Sequence, residues 1–153
     1  MKTAGQATAR TSGFSRALTL RAPLIEALMK VVEVRILLWF ARMNRTTQYV
    51  AMTRIRSRDG DDPLDRLRRI AWSVTAVSRW IPGATCLTQA LAGQALLRRY
   101  GQGSQIVIGV RPDQRSGLAA HAWLIADDMV LLGGSHAFND HSQIHSIVVD
   151  ASV

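Results

Sequence analysis

The sequence is poor in cysteine, in aromatic residues and in negative charge. One cysteine among 153 residues excludes an internal disulfide, and nothing indicates an oxidising compartment. Aromatic residues make up 6% of the chain, yet 48% of it is hydrophobic, which is enough for the core of one ordinary domain. Lys and Arg outnumber Asp and Glu by 19 to 11, and the net charge of +8 favours an acidic partner, such as an anionic peptide, nucleic acid or a membrane surface.

A long uncharged apolar run is also lacking. The strongest membrane candidate, residues 24–40, is interrupted by four charged side chains: Glu26, Lys30, Glu33 and Arg35. Because charges at mid-bilayer are costly, a transmembrane span is not expected. Residues 1–20 lack the apolar run and small-residue cleavage site of a secretory signal, so we expect a flexible N-terminal tail and a cytoplasmic protein.

Two amphipathic helices are predicted before residue 80. Apolar residues at steps of three and four run from Pro23 to Met43, with Pro23 in the first turn. Charged and turn-forming residues at 54–63 separate this helix from a second one at 64–79, which Asp62 or Pro63 begins. Arginines on the second helix suit a solvated face or an acidic peptide, and nucleic acid is not expected because no recognised binding motif accompanies them.

The later part of the chain changes from helical to strand periodicity. A run rich in Leu and Ala from Leu87 to Tyr100, closed by Gly101, predicts a helix with Cys86 at its N-terminus. Short apolar runs separated by polar turns predict strands at 105–110, 121–125 and 129–132, with a fourth at 144–149. Helices followed by a small antiparallel sheet indicate an α+β fold.

Cys86 and His121 are the candidate catalytic residues. A helix N-terminus offers unpaired N–H groups and a favourable dipole, which stabilise a thiolate and the oxyanion formed when it attacks a carbonyl. His121 begins a predicted strand, from which an imidazole can reach a helix N-terminus across the fold. The structural alternatives are a buried small hydrophobic residue for Cys86 and a satisfied core histidine for His121.

An ordered series of short blocks surrounds these two residues. The blocks are Trp80, Thr85-Cys86-Leu87, Gln89-Ala90-Leu91, Leu96 to Gly101, Ile108-Gly109-Val110 and Ala120-His121-Ala122-Trp123. Together they resemble the lasso peptide biosynthesis B2 proteins, which are transglutaminase-like cysteine proteases similar to the C-terminal domain of the microcin J25 maturation protease. The resemblance covers roughly residues 60–145, and the 35-residue spacing from Cys86 to His121 is in keeping with it.

The resemblance implies a papain/transglutaminase-like fold. Residues 21–153 would then form a single cysteine-protease domain, with a helical part at 21–60 and a catalytic core at 61–150. It further implies that Cys86 and His121 remove the leader peptide from a ribosomally made precursor. The implied partners are this precursor, a separate leader-binding protein and a macrolactam-forming ligase, and the chemistry requires no cofactor and no metal.

The third member of a catalytic triad stays open at the level of sequence. If Asp127 and Asp128 form a two-residue hairpin turn, paired positions sum to 255 and Gly134 lies opposite His121, where it has no side chain to orient the ring. Ser135 and His136 are the nearest candidates. Asn139 or Asp140 from the following loop, or a backbone carbonyl, are further alternatives.

Other candidates have weaker support. Trp80, Gln89 and Trp123 are possible substrate contacts, although a tryptophan is more often a core residue and Gln89 is more often solvated. The spacing of His136, His141 and His145 does not favour a zinc site. Two further functions remain open, namely amidase or transglutaminase chemistry at the same site, and a non-catalytic basic scaffold in a maturation complex.

Overall fold

The computed structural model describes residues 12–40, 43–53, 55, 62–113, 117–134 and 142–149. Within these residues, helices precede strands: α1 (Ser12–Phe40), α2 (Met43–Ala51), α3 (Pro63–Ser78), α4 (Cys86–Arg99), β1 (Ser104–Asp113), β2 (Gly117–Ala126), β3 (Met129–Leu132) and β4 (Ser142–Val149). The strands form one antiparallel sheet in the order β3-β2-β1-β4. The predicted α+β class is therefore confirmed.

The first helix begins earlier than predicted. α1 starts at Ser12 and carries Pro23 in its interior, so the expectation that Pro23 opens the helix is wrong. Residues 12–20, which were expected in a flexible tail, are helical. Pro23 has no N–H to donate to the Thr19 carbonyl, so the helix lacks one hydrogen bond at this point. A long helix remains stable without that bond when good helix formers flank the proline. The structure also adds α2, which sequence periodicity did not separate from α1.

The starts and ends of α3 and α4 follow local chemistry. Asp62 caps α3 by accepting a 3.3 Å hydrogen bond from the N–H of Leu64, and Pro63 occupies the first turn. α4 begins at Cys86 and ends beside Gly101, whose φ of 71° is the left-handed conformation that terminates many helices. Both helices lie where the sequence predicted them.

The helices pack on one face of the sheet. The core unites α1, α3 and α4 with β1, β2 and β3, and it includes the fully buried Leu67, Leu91, Leu97, Ile106 and Leu124. Gly93 of α4 lies so close to the sheet that a Cβ there would be 2.6 Å from Leu124 and 2.8 Å from Leu132. At this point α4 therefore packs directly on side chains of β2 and β3.

A buried glutamine fixes the C-terminal half of α4. Nε2 of Gln94, which is fully buried, donates to the carbonyl oxygens of Ser104 at 3.4 Å and Ile147 at 3.3 Å. These contacts tie the helix to the start of β1 and to β4, so the direction of α4 over the sheet is fixed. None of the helices in the described ranges combines the length and the apolar character that a membrane crossing needs.

Candidate active site

Cys86 is the first residue of α4 and is half-buried against the core. Thr85 precedes it in an extended conformation, and no side-chain hydrogen bond caps the helix. The hydroxyl of Thr85 instead lies 3.4 Å from that of Thr88. The first-turn N–H groups are thus not occupied by a capping side chain, as an oxyanion site at a helix N-terminus requires.

The turn before Cys86 is braced by α1. Arg35 donates from Nε to the carbonyl of Pro82 at 3.4 Å. Its guanidinium also lies against Gly83, because a Cβ added to this glycine would be 2.5 Å from Nη2 of Arg35. Gly83 has a φ of 74°, which favours glycine. The N–H of Thr85 then donates to the Gly83 carbonyl at 2.9 Å, which directs the chain into α4.

Cys86 and His121 each lie a short distance along the chain from the point where α4 meets β2. The end of α4 leads through four residues into β1, and β1 pairs antiparallel with β2. Gly93 of α4 lies close to Leu124 of β2. Cys86 precedes Gly93 by seven residues, which is about 10 Å along the helix at its usual rise per residue. His121 precedes Leu124 by three residues, which is also about 10 Å along β2.

His121 is held by a main-chain carbonyl. Its Nε2 lies 2.8 Å from the carbonyl oxygen of Gly133. Since a carbonyl oxygen can only accept, Nε2 carries the proton and donates it, and the lone pair of the neutral ring is on Nδ1. A ring in this tautomer can receive a proton from a thiol through Nδ1. A backbone carbonyl, one of the alternatives considered for the third member, is thus in contact with the ring.

The hairpin register explains why this carbonyl is Gly133. Asp127 and Asp128 have φ values of 48° and 57° in the predicted two-residue turn, and Ala126 pairs with Met129 as expected. Between Ile125 and Leu124 the register shifts by one residue, and the ladder ends at Leu124 with Leu132. The prediction that Gly134 lies opposite His121 is therefore wrong, because the β-bulge displaces the later residues.

The face of β2 that carries His121 also carries Trp123. Side chains alternate along the strand, and Ala122 and Leu124 belong to the helical core, so His121 and Trp123 start on the other face. Gly133 lies against the Ala122 carbonyl, so its bond holds the His121 ring at the β3 side of β2.

The two candidate tryptophans have opposite environments. Trp123 is fully buried, its ring centroid is 4.7 Å from that of His121, and its Nε1 donates to the Gly134 carbonyl at 3.0 Å. Trp80 is 85% exposed in the turn that precedes α4. The core interpretation thus suits Trp123 and not Trp80, which remains available for a substrate contact.

Gln89 turns back toward the start of its own helix. Its Nε2 lies 3.5 Å from the Ala84 carbonyl oxygen, and the residue is half-buried, so it is not the fully solvated side chain that sequence favoured. Ser135 and His136, and with them Asn139, Asp140 and His141, lie outside the described residues, as does the side chain of His145. Within the described ranges, no group of three His, Cys, Asp or Glu residues is arranged to hold a metal ion.

Sequence reasoning missed Arg35 and singled out no particular carbonyl. Arg35 was noted only as a charge that interrupts an apolar stretch, and no local pattern links it to a turn 47 residues away. The carbonyl had a signal in the Gly133-Gly134 pair, because two glycines directly after a strand indicate a backbone that leaves the regular sheet. Both residues reach φ values that favour glycine, 100° and 77°.

Comparison with known proteins identifies the superfamily of the chain. No curated protein and no solved structure matches the chain. A family match described as transglutaminase-like superfamily covers residues 30–145, which is more than half of the chain and includes both Cys86 and His121. With the α+β architecture, this match shows that the chain belongs to the transglutaminase-like superfamily, whose enzymes are typically cysteine proteases or transglutaminases.

Proposed function

We propose that the protein is a cysteine peptidase that removes the leader peptide from a ribosomally made lasso peptide precursor. The observation that carries the proposal is that Cys86 is the first residue of α4, a helix with no side-chain cap, in a chain whose His121 ring is held at Nε2 by a main-chain carbonyl. Superfamily membership supports cysteine-dependent acyl chemistry. The sequence blocks around Cys86 and His121 support the narrower assignment to the lasso peptide B2 proteins.

The proposed reaction uses a dyad and a thioester. Nδ1 of His121 takes the thiol proton of Cys86, and the thiolate attacks the scissile carbonyl carbon of the precursor. The first-turn N–H groups of α4 stabilise the resulting oxyanion. Collapse breaks the C–N bond, and His121 gives its proton to the departing amine of the core peptide, which leaves the leader as a thioester on Cys86.

Hydrolysis then regenerates the enzyme. His121 accepts a proton from a water molecule as the water oxygen attacks the thioester carbonyl. The second tetrahedral intermediate expels the Cys86 thiolate, which recovers its proton from His121, and the leader leaves with a new C-terminal carboxyl group. One water molecule is consumed per peptide bond cleaved, and no redox partner is needed.

The proposed partners follow from the substrate. A separate leader-binding protein would present the precursor, and a macrolactam-forming ligase would use the freed N-terminus of the core peptide. The net charge of +8 suits an acidic segment in the precursor or in the leader-binding protein, and Arg68, Arg79 and Arg111 are exposed. Since the precursor is made on ribosomes, the proposal places the reaction in the cytoplasm.

The test is mass spectrometry of a candidate precursor incubated with the protein and its leader-binding partner. We expect one cut by the wild type, with the mass of one water added across the two products. Cys86→Ala should lower the rate by about 10³-fold or more, because the nucleophile is lost. His121→Ala should lower it by about 10²- to 10⁴-fold, the usual contribution of a general base.

The controls separate the rival functions. Thr75→Ala changes an exposed side chain on α3, away from Cys86 and His121, and it should retain cleavage. An added primary amine that becomes joined to the leader would indicate transglutaminase chemistry at the same thiol. Absence of any cut by the wild type, with leader binding to the partner demonstrated, would contradict the peptidase and favour the non-catalytic scaffold.

A further inference from the structure

α1 has a second apolar face, on the side away from the core. Its core side is formed by Ala27, Val31 and Val34, which are fully buried. On the other side, seven large apolar residues are between 39% and 83% exposed. We call this set the outer face of α1, and its members are Ile25, Leu28, Met29, Val32, Ile36, Trp39 and Phe40. We propose that the outer face docks the protein on the surface of an anionic lipid bilayer.

The outer face is a continuous stripe. At 3.6 residues per turn, its seven residues fall within an arc of about 120° around the helix axis. From Ile25 to Phe40 the stripe is about 22 Å long at the usual helical rise. Four charged residues of the same stretch fall outside the arc, namely Glu26, Lys30, Glu33 and Arg35. The arc is therefore apolar along its whole length.

The exposed apolar area is large for a protein surface. An aromatic side chain has about 150–250 Å² of surface, so the exposed parts of Trp39 and Phe40 alone amount to roughly 200–400 Å². The five other side chains of the outer face add to this area. The stripe thus reaches or exceeds the few hundred Å² that the largest apolar patch of a soluble monomer typically exposes, and patches of this size mark interaction sites.

The chemistry of the outer face suits a bilayer better than a protein partner. Among residues 25–40, all of which the structure describes, the arc contains one hydrogen-bonding side-chain group, the indole N–H of Trp39. Protein interfaces carry about one hydrogen bond per 100–200 Å². The ring of Trp39 stacks with that of Phe40 at a centroid distance of 6.2 Å, and tryptophan is enriched at the membrane–water boundary. No helix of the described ranges suits a membrane crossing, so α1 lies in the plane of the bilayer surface.

The charge around the outer face favours anionic lipid. Between residues 12 and 51, the sequence contains six Arg or Lys residues and two Glu residues. Both carboxylates are paired within the protein, Glu26 with Arg99 at 3.2 Å and Glu33 with Lys30 at 2.7 Å. A helical segment with an apolar stripe and excess positive charge is attracted to anionic headgroups.

The end of the outer face lies beside the turn that leads to Cys86. The guanidinium carbon of Arg35 is 5.4 Å from the centroid of the Trp39 ring, and Nε of the same arginine donates to the Pro82 carbonyl at 3.4 Å. One arginine side chain thus links Trp39 to Pro82, and Cys86 follows Pro82 by four residues. Docking through the outer face therefore holds the turn before α4 near the bilayer surface.

The experiment is flotation of the full chain with lipid vesicles, either of phosphatidylcholine alone or with about 30% phosphatidylglycerol. We expect the partition coefficient to be about tenfold or more higher for the anionic vesicles, and to fall several-fold when salt rises from about 0.1 to about 0.5 M. The double variant Trp39→Gln/Phe40→Gln should lower it about tenfold or more, because two large apolar side chains no longer enter the bilayer.

A pair of single substitutions supplies the matched control. Ile36 is 51% exposed on the outer face, and Val148 is 62% exposed on β4. Ile36→Gln should lower the partition coefficient about three- to fivefold, because it removes part of the apolar area that the bilayer covers. Val148→Gln should stay within about twofold of wild type, since β4 does not belong to the outer face.

A fluorescent thiol label reports the environment of the outer face directly. Cys86 is the lone cysteine, so Cys86→Ala combined with Ile36→Cys carries one label, at position 36. Cys86→Ala combined with Val148→Cys carries the label on β4 instead. We expect anionic vesicles to shift the emission of the label at position 36 to the blue, as it leaves water, and to leave that of the label at position 148 unchanged.

Three results would overturn the proposal. The first is a wild type that does not float with anionic vesicles, and the second is flotation that Trp39→Gln/Phe40→Gln leaves unchanged, which would indicate adsorption by charge alone. The third is a label at position 36 that shifts to the blue without vesicles, either as protein concentration rises or when the leader-binding partner is added. A second copy or a partner protein would then cover the outer face. None of these measurements depends on cleavage of a precursor.

Discussion

α4 and α1 both pack into the core, but they are attached differently. α4 buries a continuous stretch from Ala90 to Leu97, and Gly93 brings its backbone against β2 and β3. In the described part of α1, the fully buried side chains are small ones, Ala27, Val31 and Val34, while Trp39 and Phe40 at its end are 73% and 83% exposed. The helix that carries Cys86 is thus fixed by close packing, whereas the outer helix relies more on polar links.

The polar links of α1 lie at both ends of α4. Near the C-terminus, Glu26 accepts from Nε of Arg99 at 3.2 Å and from the Tyr100 hydroxyl at 2.6 Å. Near the N-terminus, Arg35 bonds to the Pro82 carbonyl at 3.4 Å. Because partly exposed polar contacts contribute less than buried apolar ones, changes in α1 should cost less stability than changes at the α4–sheet contact.

The largest loss is expected on the sheet, at the face that carries His121. Trp123→Ala empties the space of a fully buried indole and should lower the free energy of unfolding by about 3 to 5 kcal/mol. Trp80→Ala is the matched control, because this tryptophan is 85% exposed, and it should stay within about 0.5 kcal/mol of wild type. Urea unfolding measures both, and equal losses would contradict the assigned environments.

A smaller loss is expected where α4 meets the sheet. Gly93→Val places methyl groups in the space of Leu124 and Leu132 and should destabilise the fold by about 1 to 3 kcal/mol. Thr75→Val introduces the same side chain at an exposed position of α3 and should change stability by less than about 0.5 kcal/mol. Thermal melts of the two variants test the contact, and a neutral Gly93→Val would show that α4 is not close-packed there.

The smallest effect is expected at α1. Glu26→Gln removes the charge opposite Arg99 and keeps an acceptor for Tyr100, so the expected loss is about 0.5 to 1 kcal/mol, reduced by added salt. Glu33→Gln is the control with a smaller loss, because the Glu33 carboxylate, which pairs with Lys30, is more exposed than that of Glu26. A loss at Glu26 equal to that of Gly93→Val would remove the distinction between the two helices.

Much of the local structure was accessible from the sequence. Asp62 followed by Pro63 marks a helix start, Gly101 marks a helix end, and the Asp127-Asp128 pair forms the expected hairpin turn. Each feature depends on residues within one turn of the chain, through capping, proline geometry or the left-handed region. The placement of Cys86 at a helix N-terminus followed from the same rules.

Longer-range features were not accessible in this way. Pro23 satisfied the rule for a first turn, but the surrounding helix formers continued the helix through it. The one-residue shift between Ile125 and Leu124 has no signature in strand periodicity, yet it decides which residue faces His121.

By itself, the sequence determined the α+β class, the helix that begins at Cys86 and the strand that carries His121, because apolar periodicity, caps and turns act over a few residues. Only the tertiary structure decided that Arg35 braces the turn before Cys86 and that the carbonyl of Gly133 holds His121. These contacts join distant segments, and their geometry depends on the bulge in the hairpin and on the close approach of α4, which form only when the core packs.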